Sequence, residues 1–197
     1  QVFGELIGLW CAVVWRQMGS PSMLHLVELG PGRGTMMRDA LRAARVVPGF
    51  LAAVQVHLVE SNHHLRKIQS EALTSVSCRP QWHVGLETIE PAPKIIVANE
   101  FLDACEAHQH EFVREGMVRR GVGLDGGGQL IFLRMPDLQR IDPEVFEYYP
   151  RLQPGDIVES QDFGFMAALK RLLAESPVAG LFIDYGHLAL TPGETLQ

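Results

Sequence analysis

The chain has 197 residues, of which 47% are hydrophobic and 20% are charged, and its formal net charge is −6. This length suffices for one α/β domain with a hydrophobic core, and the composition excludes a disordered chain. The negative charge disfavours general binding to nucleic acid or to an anionic membrane surface. Three cysteines without C-x-x-C spacing argue against a structural zinc site, and no apolar run is long enough to cross a bilayer.

Predicted strands and helices alternate along the first half of the chain. Apolar residues at helical spacing predict the helices, and short apolar or β-branched runs predict the strands. The predicted helices cover residues 3–18, 35–46 and 64–73, and the predicted strands cover residues 24–29, 53–59, 81–84 and 94–98. Ser61 is predicted as the N-cap of the third helix. Strands that are each followed by a helix imply a parallel sheet with right-handed crossovers.

The second half of the chain has a different pattern. Short strand-like runs separated by glycine-containing turns predict an antiparallel meander, inserted into the α/β order at about residues 107–150. The predicted strands of the meander cover residues 108–114, 117–124 and 129–134. A short strand at 156–159, a helix at 163–174 and a fifth core strand at 178–183 follow. The fold class expected is therefore α/β, a doubly wound and mostly parallel Rossmann-like sheet with an inserted antiparallel β-meander.

The most informative segment is Glu28-Leu29-Gly30-Pro31-Gly32-Arg33-Gly34, which joins the first strand to the next helix. Such a turn presents backbone N–H groups and a helix N-terminus to one small ligand. The third glycine comes one residue earlier than in the dinucleotide fingerprint G-x-G-x-x-G. A carboxylate beside the turn suits a cation or an ammonium group, as in S-adenosylmethionine, better than a pyrophosphate. The alternative is a tight turn that uses glycine only for its positive φ.

Polar residues follow the other predicted core strands. Glu60 and Ser61 close the second strand, where an acid can accept both hydroxyls of a ribose, although a helix-start acid can also serve the helix dipole. Trp82 lies in the third strand, where it either flanks an adenine or belongs to the core. Ligands of a doubly wound sheet lie over the carboxyl ends of its strands. These ends therefore predict one common site.

A second polar segment follows the fourth strand. If the chain turns helically after Asn99, the carboxylates of Glu100 and Asp103 share one face. One carboxylate can then hold a guanidinium bidentately, while the other accepts the proton of the attacking nitrogen, and Asn99 positions a hydrogen bond near the transferred methyl. The alternative is N-terminal capping of a helix.

Other chemistries find little support in the sequence. His108 and His110 alternate on a predicted strand, but no convincing set of further ligands accompanies them, so no metal site is predicted. Cys105 lacks a recognisable base, and there is no G-x-S-x-G elbow of a hydrolase.

With these residues identified, the chain resembles the MidA-like family of class I methyltransferases, which includes a mitochondrial complex I assembly factor described as a protein arginine methyltransferase. The matching blocks are F-G-E-L-I-G at 3–8, V-E-L-G-P-G-R-G-T-M at 27–36, V-E-S at 59–61, A-N-E-F-L-D-A at 98–104, H-Q at 108–109, I-D-Y-G-H at 183–187 and G-E-T-L-Q at 193–197. Two features depart from the family: Cys105-Glu106 replaces Leu-Pro, and the chain stops before the closing strands of a class I sheet. We therefore expect residues 1–197 to be a single methyltransferase domain from a longer protein.

The resemblance implies S-adenosyl-L-methionine as cofactor and roles for particular residues. Gly30, Gly32 and Gly34 would hold the methionine part, with Glu28 beside its amino group. Glu60 would take the ribose, Phe3, Gly4 and Glu5 would cover the pocket, and Glu100 with Asp103 would face the incoming nucleophile. Ser61, Trp82 and Asn99 complete the predicted site from their positions near strand ends.

The leading hypothesis is an S-adenosylmethionine-dependent methyltransferase that acts on a protein arginine. In the mitochondrial branch of the family, the resemblance implies symmetric dimethylation of a respiratory complex I subunit. The rival hypotheses are a catalytically silent scaffold that binds the same cofactor and, less favoured, a nicotinamide-dependent oxidoreductase. The expected location is the cytoplasm for a bacterial protein and the mitochondrial matrix for a eukaryotic one. The sequence leaves the oligomeric state open, a homodimer included.

Overall fold

A computed structural model describes residues 1–76, 79–140, 145–161, 164–186 and 191–193. Its helices are α1 Val2–Gln17, α2 Thr35–Ala44, α3 Phe50–Ala53, α4 His63–Leu73, α5 Val145–Tyr148 and α6 Phe165–Glu175. Its strands are β1 Leu24–Leu29, β2 Val54–Val59, β3 Gln81–His83, β4 Lys94–Asn99, β5 Ala107–Val113, β6 Gly116–Leu124, β7 Leu130–Gln139, β8 Ile157–Gln161 and β9 Val178–Ile183. Short 3-10 helices cover Leu86–Thr88 and Leu102–Ala104.

The chain divides into two compact units, residues 1–104 with 164–184 and residues 105–163 with 185–197. The first unit contains a five-stranded sheet in the order β3-β2-β1-β4-β9, and every neighbouring pair in it is parallel. The second contains a four-stranded antiparallel sheet in the order β7-β6-β5-β8. The predicted fold class, a parallel Rossmann-like sheet with an antiparallel meander, is confirmed. That both units form one domain stays a prediction.

The bounds of the elements that were predicted agree with the structure to within a few residues, with two corrections, whereas the short helices α3 and α5 and the two 3-10 helices were not predicted. The N-cap of α4 is Asn62 and not Ser61, because the Asn62 side chain accepts hydrogen bonds from the backbone N–H groups of His64 and Leu65. Strand β7 continues to Gln139, five residues past the predicted end, because it stays paired with β6 beyond an irregularity in the register. His187, which belongs to a family block, lies outside the described residues.

The parallel sheet has a hydrophobic core on each face, because successive side chains of a strand point to opposite sides. Leu24 and Leu26 of β1 pack with residues of α1, α2 and α3 in one core. Val27 and Leu29 pack with residues of α6 in the other. Strand β1 is buried along its whole length, and its carboxyl end therefore lies deep between the two layers.

A row of basic side chains crosses this sheet; His25, His57 and Lys94 are buried and His83 is partly buried. The ring centroids of His25 and His57 are 4.3 Å apart, and those of His57 and His83 are 5.1 Å apart. Lys94, which is fully buried, donates from Nζ to the carbonyl oxygen of Ala92. Burial lowers the pKa of Lys94 and, together with nearby positive groups, lowers the pKa of His57 to about 3. These side chains thus disfavour the folded state at low pH.

Two further findings concern absences within the described part of the chain. No helix there combines the length and the apolarity that a membrane span requires. The same residues contain no cluster of three or more histidine, cysteine or acidic side chains arranged to hold a metal ion.

Helices α1 and α2 approach closely at two glycines one helical turn apart. A Cβ added at Gly4 would lie 2.9 Å from the carbonyl oxygen of Met36, and one added at Gly8 would overlap the backbone of Ala40. Backbone cannot move aside as a side-chain end can, so the two helices would have to separate. The packing of α2, which begins directly after the glycine turn, therefore depends on these small residues.

We predict that Gly8→Ala lowers the free energy of unfolding by about 2 kcal/mol or more, because a methyl group is forced against the α2 backbone. Chemical denaturation of both proteins measures the change. Gly126→Ala is the control, since a Cβ there meets no atom within 4 Å. Equal stability of Gly8→Ala and the unmodified chain would contradict the close contact.

Candidate functional site

The turn after β1 is built from left-handed backbone. The φ angles of Gly30, Gly32 and Gly34 are 59°, 53° and 74°, a region that residues with a Cβ rarely adopt. The backbone N–H of Gly30 donates to the carbonyl oxygen of Val59 and so ties the turn to the end of β2. A Cβ at Gly32 would meet no atom within 4 Å, so the space beside this residue is open.

A cavity of about 700 Å³ lies at the carboxyl ends of the parallel strands. This is the place where open α/β sheets bind their ligands, and the volume falls within the usual range for small-molecule sites. Its lining residues, all within the first unit, are Leu29, Gly30, Gly32, Val59, Glu60, Ser61, Leu65, Val84, Gly85, Leu86, Glu87, Thr88, Phe101, Ala104 and Phe165. The walls are mostly apolar, with few polar groups between them.

Glu60 is the lining carboxylate that directly follows β2, and other groups hold it in place. Its Oε1 accepts from the backbone N–H of Asn62 at 2.8 Å, and its Oε2 accepts from Nε2 of Gln69 at 3.2 Å. The guanidinium of Arg66 donates to the backbone oxygens of both Glu60 and His83, which binds the ends of β2 and β3 together. The Glu60 carboxylate is therefore oriented before any ligand arrives.

The structure favours the core interpretation of Trp82. This side chain packs against the larger hydrophobic core and is absent from the cavity lining. Its Nε1 donates to Oε1 of Gln69 at 2.8 Å. Beyond β3 the cavity wall is formed instead by the segment from Val84 to Thr88, which the sequence analysis did not identify.

Glu28 is almost completely buried within β1, and its Oε2 has no hydrogen-bond partner among the described residues. Burial raises the pKa of Glu28 to about 8. Burial also raises the pKa of Cys11 to about 12, and the nearby Glu28 contributes to that rise. Glu28 does not line the cavity but lies directly before the turn that does. An unsatisfied buried acceptor at this place fits a ligand with a hydrogen-bond donor.

The segment after β4 is not the continuous helical turn that would pair the two acids. Glu100 has a φ of 51°, and the 3-10 helix begins only at Leu102, because Asp184 accepts a hydrogen bond from the Leu102 backbone N–H at 2.7 Å. The helical turn on which a shared face of Glu100 and Asp103 depended is therefore not formed at Glu100. Both side chains are exposed, and Asn99 is partly buried at the end of β4.

Phe101 covers the start of the glycine turn. A Cβ at Gly30 would lie 3.0 Å from Cδ2 of Phe101, and the Phe101 ring meets the Phe165 ring edge-on with centroids 5.3 Å apart. Both rings line the cavity. Neither residue was identified as a site residue from the sequence, although Phe101 stands inside the N-E-F-L-D-A block.

Of the residues predicted for the site, the structure brings Gly30, Gly32, Glu60 and Ser61 together around the cavity. The predicted residues outside its lining are Phe3, Gly4, Glu28, Gly34, Trp82, Asn99, Glu100 and Asp103. Their functional roles stay predictions. Gln69, a buried polar residue within α4, contacts both the turn and Glu60 and was not predicted from the sequence.

Comparison with known proteins identifies relatives in sequence and a similar fold. A family model described as "Putative S-adenosyl-L-methionine-dependent methyltransferase" matches residues 6–197. The mitochondrial protein arginine methyltransferase NDUFAF7 homolog of Drosophila melanogaster is 32% identical over 95% of this chain and 48% of its own length. Mitochondrial protein arginine methyltransferase NDUFAF7 of Danio rerio is 28% identical over 95% of this chain and 50% of its own length. The chain thus spans about half the length of the curated relatives it matches.

A solved structure has a similar fold. A protein from Burkholderia thailandensis bound to S-adenosyl-homocysteine superposes with a TM-score of 0.67 at 22% identity. The similarity covers 93% of this chain and 47% of that one.

We predict that Glu28→Gln stabilises the protein increasingly as the pH rises. The pKa of Glu28 is about 8 in the folded chain against an ordinary value of 4.5, so the unfolded chain loses this proton first. The protonated Glu28 side chain contributes its full stability to the fold below about pH 4.5. This contribution is lost as the pH rises from about 4.5 to about 8. Between about pH 5 and about pH 8, the gain in unfolding free energy over the unmodified chain should grow by on the order of 3 kcal/mol.

Denaturant titrations at several pH values measure this difference. The unmodified chain must be compared with the variant because the buried histidines, whose pKa values are lowered, make the fold more stable as the pH rises, over an overlapping pH range. Glu71→Gln on the exposed surface of α4 is the control. A difference between Glu28→Gln and the unmodified chain that stays constant with pH would contradict a neutral buried carboxyl group.

Proposed function

Because the chain belongs to the family of S-adenosyl-L-methionine-dependent methyltransferases whose model spans residues 6–197, we propose that it methylates an arginine side chain of a protein. S-adenosyl-L-methionine is the methyl donor of that family. The observation that carries the proposal is the cavity between the left-handed glycine turn and the oriented Glu60 carboxylate. Relatives described as mitochondrial protein arginine methyltransferases support the choice of acceptor.

The residues at the cavity suit the separate parts of the donor. Glu60 retains acceptor capacity for the ribose hydroxyls, and the open space beside Gly32 admits the methionine part close to the backbone. Leu65 and Leu86 offer an apolar wall for the adenine ring. The buried acceptor of Glu28 lies next to this turn and suits an ammonium group. The bound donor supplies an electrophilic methyl group, and the task of these residues is to hold it in line with the acceptor.

The proposal has a donor half, the binding of S-adenosyl-L-methionine, and an acceptor half, the binding of the arginine that receives the methyl group. The segment after β4 carries the acceptor half. Glu100 and Asp103 are exposed on the same short loop that contributes Phe101 and Ala104 to the cavity wall. An exposed carboxylate can be reached by a protein side chain and can fix a guanidinium bidentately. The second carboxylate then accepts the proton that the attacking nitrogen loses, and Asn99 hydrogen-bonds near the methyl group.

The identity of the acceptor protein is proposed from the family resemblance of the sequence motifs. For a mitochondrial protein we propose a subunit of respiratory complex I in the matrix, and for a bacterial protein an acceptor in the cytoplasm. A homodimer is compatible with either. The rival is a scaffold that binds the donor without chemistry, and the exposure of both acids outside the cavity lining is the observation that favours it.

Calorimetry with S-adenosylhomocysteine tests the donor half. We predict that the unmodified chain binds it, that Glu60→Ala weakens binding by about tenfold or more, and that Gly32→Val abolishes it, since valine cannot adopt the left-handed turn. Glu71→Ala, which removes an exposed charge on α4, is the control. Absence of binding, or binding that neither site substitution changes, would refute the donor site.

Incubation of a protein extract with radiolabelled donor tests the acceptor half. We predict that label appears on protein arginine and falls by about 100-fold in Glu100→Gln or Asp103→Asn, because a bidentate partner or a proton acceptor is removed. Both variants should keep their affinity for S-adenosylhomocysteine, and Glu106→Gln, which changes another exposed acid, serves as the control. Donor binding without any labelled protein would favour the scaffold.

A further inference from the structure

One fully buried side chain connects two parts of the cavity lining with strand β3 behind it. The amide of Gln69 donates from Nε2 to the carbonyl oxygen of Gly32 at 2.8 Å and to Oε2 of Glu60 at 3.2 Å. Its Oε1 accepts from Nε1 of Trp82 at 2.8 Å. These partners come from the turn after β1, from the end of β2 and from β3. Residues that are distant in sequence therefore meet at one primary amide.

The three hydrogen bonds of Gln69 require its side-chain amide to have one particular orientation. The indole N–H of Trp82 can only donate, so the oxygen of Gln69 must face it. The NH₂ group then points to the two acceptors, the Gly32 carbonyl and the Glu60 carboxylate. A glutamate in place of Gln69 could not donate to either while ionised, and it would set a second carboxylate beside Glu60. Trp82 thus determines which way the Gln69 amide is turned.

The orientation of Gln69 controls what Glu60 offers to a ligand. An ionised carboxylate has about four acceptor positions on its two oxygens. The backbone N–H of Asn62 occupies one on Oε1, and Gln69 occupies one on Oε2. One position on each oxygen remains, which is the arrangement needed to accept two hydrogen bonds side by side. Two neighbouring hydroxyl groups of a ribose match it.

The same amide also orients the glycine turn. In a trans peptide the carbonyl and the following N–H point in opposite directions, so a fixed Gly32 carbonyl also fixes the N–H of Arg33. Because the Gly32 carbonyl accepts from Gln69, the peptide plane at the open side of the turn cannot rotate without losing this bond. The ribose acceptor and the turn are therefore held by a single group.

We propose that Gln69, held by Trp82, is a positioning residue that aims Glu60 at a vicinal diol and so makes the cavity selective for a ribose over a deoxygenated sugar. The inference rests on the proposed function, because the diol belongs to the adenosyl group of the donor. A purely structural role for the same hydrogen bonds would stabilise the fold without any preference for the hydroxyl groups. This difference separates the two interpretations.

The test compares two ligands in calorimetry with the full 197-residue chain. The ligands are S-adenosylhomocysteine and its analogue without the 2′ and 3′ hydroxyls. Trp82→Phe keeps an aromatic ring but removes the N–H that orients Gln69. We expect this variant to lose about tenfold more affinity for S-adenosylhomocysteine than for the analogue, because a loosened glycine turn affects both ligands and only S-adenosylhomocysteine has the diol. Its preference for the diol should therefore shrink by the same factor.

Trp15→Phe is the matched control. Trp15 is a buried tryptophan of the same unit, and its Nε1 donates at 2.9 Å to the carbonyl oxygen of Pro21, away from the cavity. This variant should unfold at a lower temperature and keep both affinities. Gln69→Met, which preserves volume and removes all three hydrogen bonds, replaces Trp82→Phe if the latter does not fold, and we expect the same loss of diol preference.

The inference is overturned if the substitution weakens both ligands equally, if it changes neither affinity, or if the unmodified chain binds the two ligands equally well. In each of these cases S-adenosylhomocysteine still binds to the unmodified chain, and the proposed function stands. Failure of the unmodified chain to bind S-adenosylhomocysteine would instead refute the donor half of the proposed function.

Discussion

The backbone geometry of the turn between β1 and α2 determines how the candidate site is built. The chain leaves a strand that is buried on both faces and must begin a helix within a few residues. It does so through left-handed backbone at Gly30, Gly32 and Gly34, where a side chain would be strained. As a result, glycine backbone without side chains lies at the carboxyl ends of the parallel strands, and there is room for a ligand beside Gly32. Close packing of α1 on α2 then keeps the helix in place.

Polar groups around this turn are arranged in advance of binding. Gln69 and Asn62 hold the Glu60 carboxylate, and Asp184 holds the start of the short helix at Leu102. Because these polar groups are already hydrogen-bonded in fixed positions, less free energy is lost in ordering them when a ligand binds. Glu28 is the exception, since one of its oxygens has no partner among the described residues and burial raises its pKa to about 8. A positively charged donor at this place would supply both a hydrogen bond and a counter-charge.

Much of the fold could be predicted from the sequence, because strand burial and glycine turns leave local patterns. The run from Leu24 to Leu29 and the glycines after it predicted a strand, a turn and a helix, and all three are present. The N-cap of α4 was assigned to the wrong one of two neighbouring residues, because Ser61 and Asn62 have similar capping propensities and only the backbone geometry selects between them. The left-handed conformation of Glu100 could not be predicted from the sequence, because a glutamate does not require a positive φ.

The candidate site could be predicted only where a residue acts through its own local motif. Gly30, Gly32 and Glu60 stand at strand ends and were found. Gln69 was missed because its partners lie in the turn after β1, at the end of β2 and within β3, which come together only in the folded sheet. Trp82 allowed two interpretations for the same reason.

A crystal structure of the chain with S-adenosylhomocysteine would show whether an adenosyl compound lies between the glycine turn and Glu60. We expect both ribose hydroxyls within hydrogen-bond distance of the Glu60 carboxylate and the homocysteine part along the backbone from Gly30 to Gly34. A ligand bound elsewhere, with Glu60 touching none of its atoms, would refute this donor site.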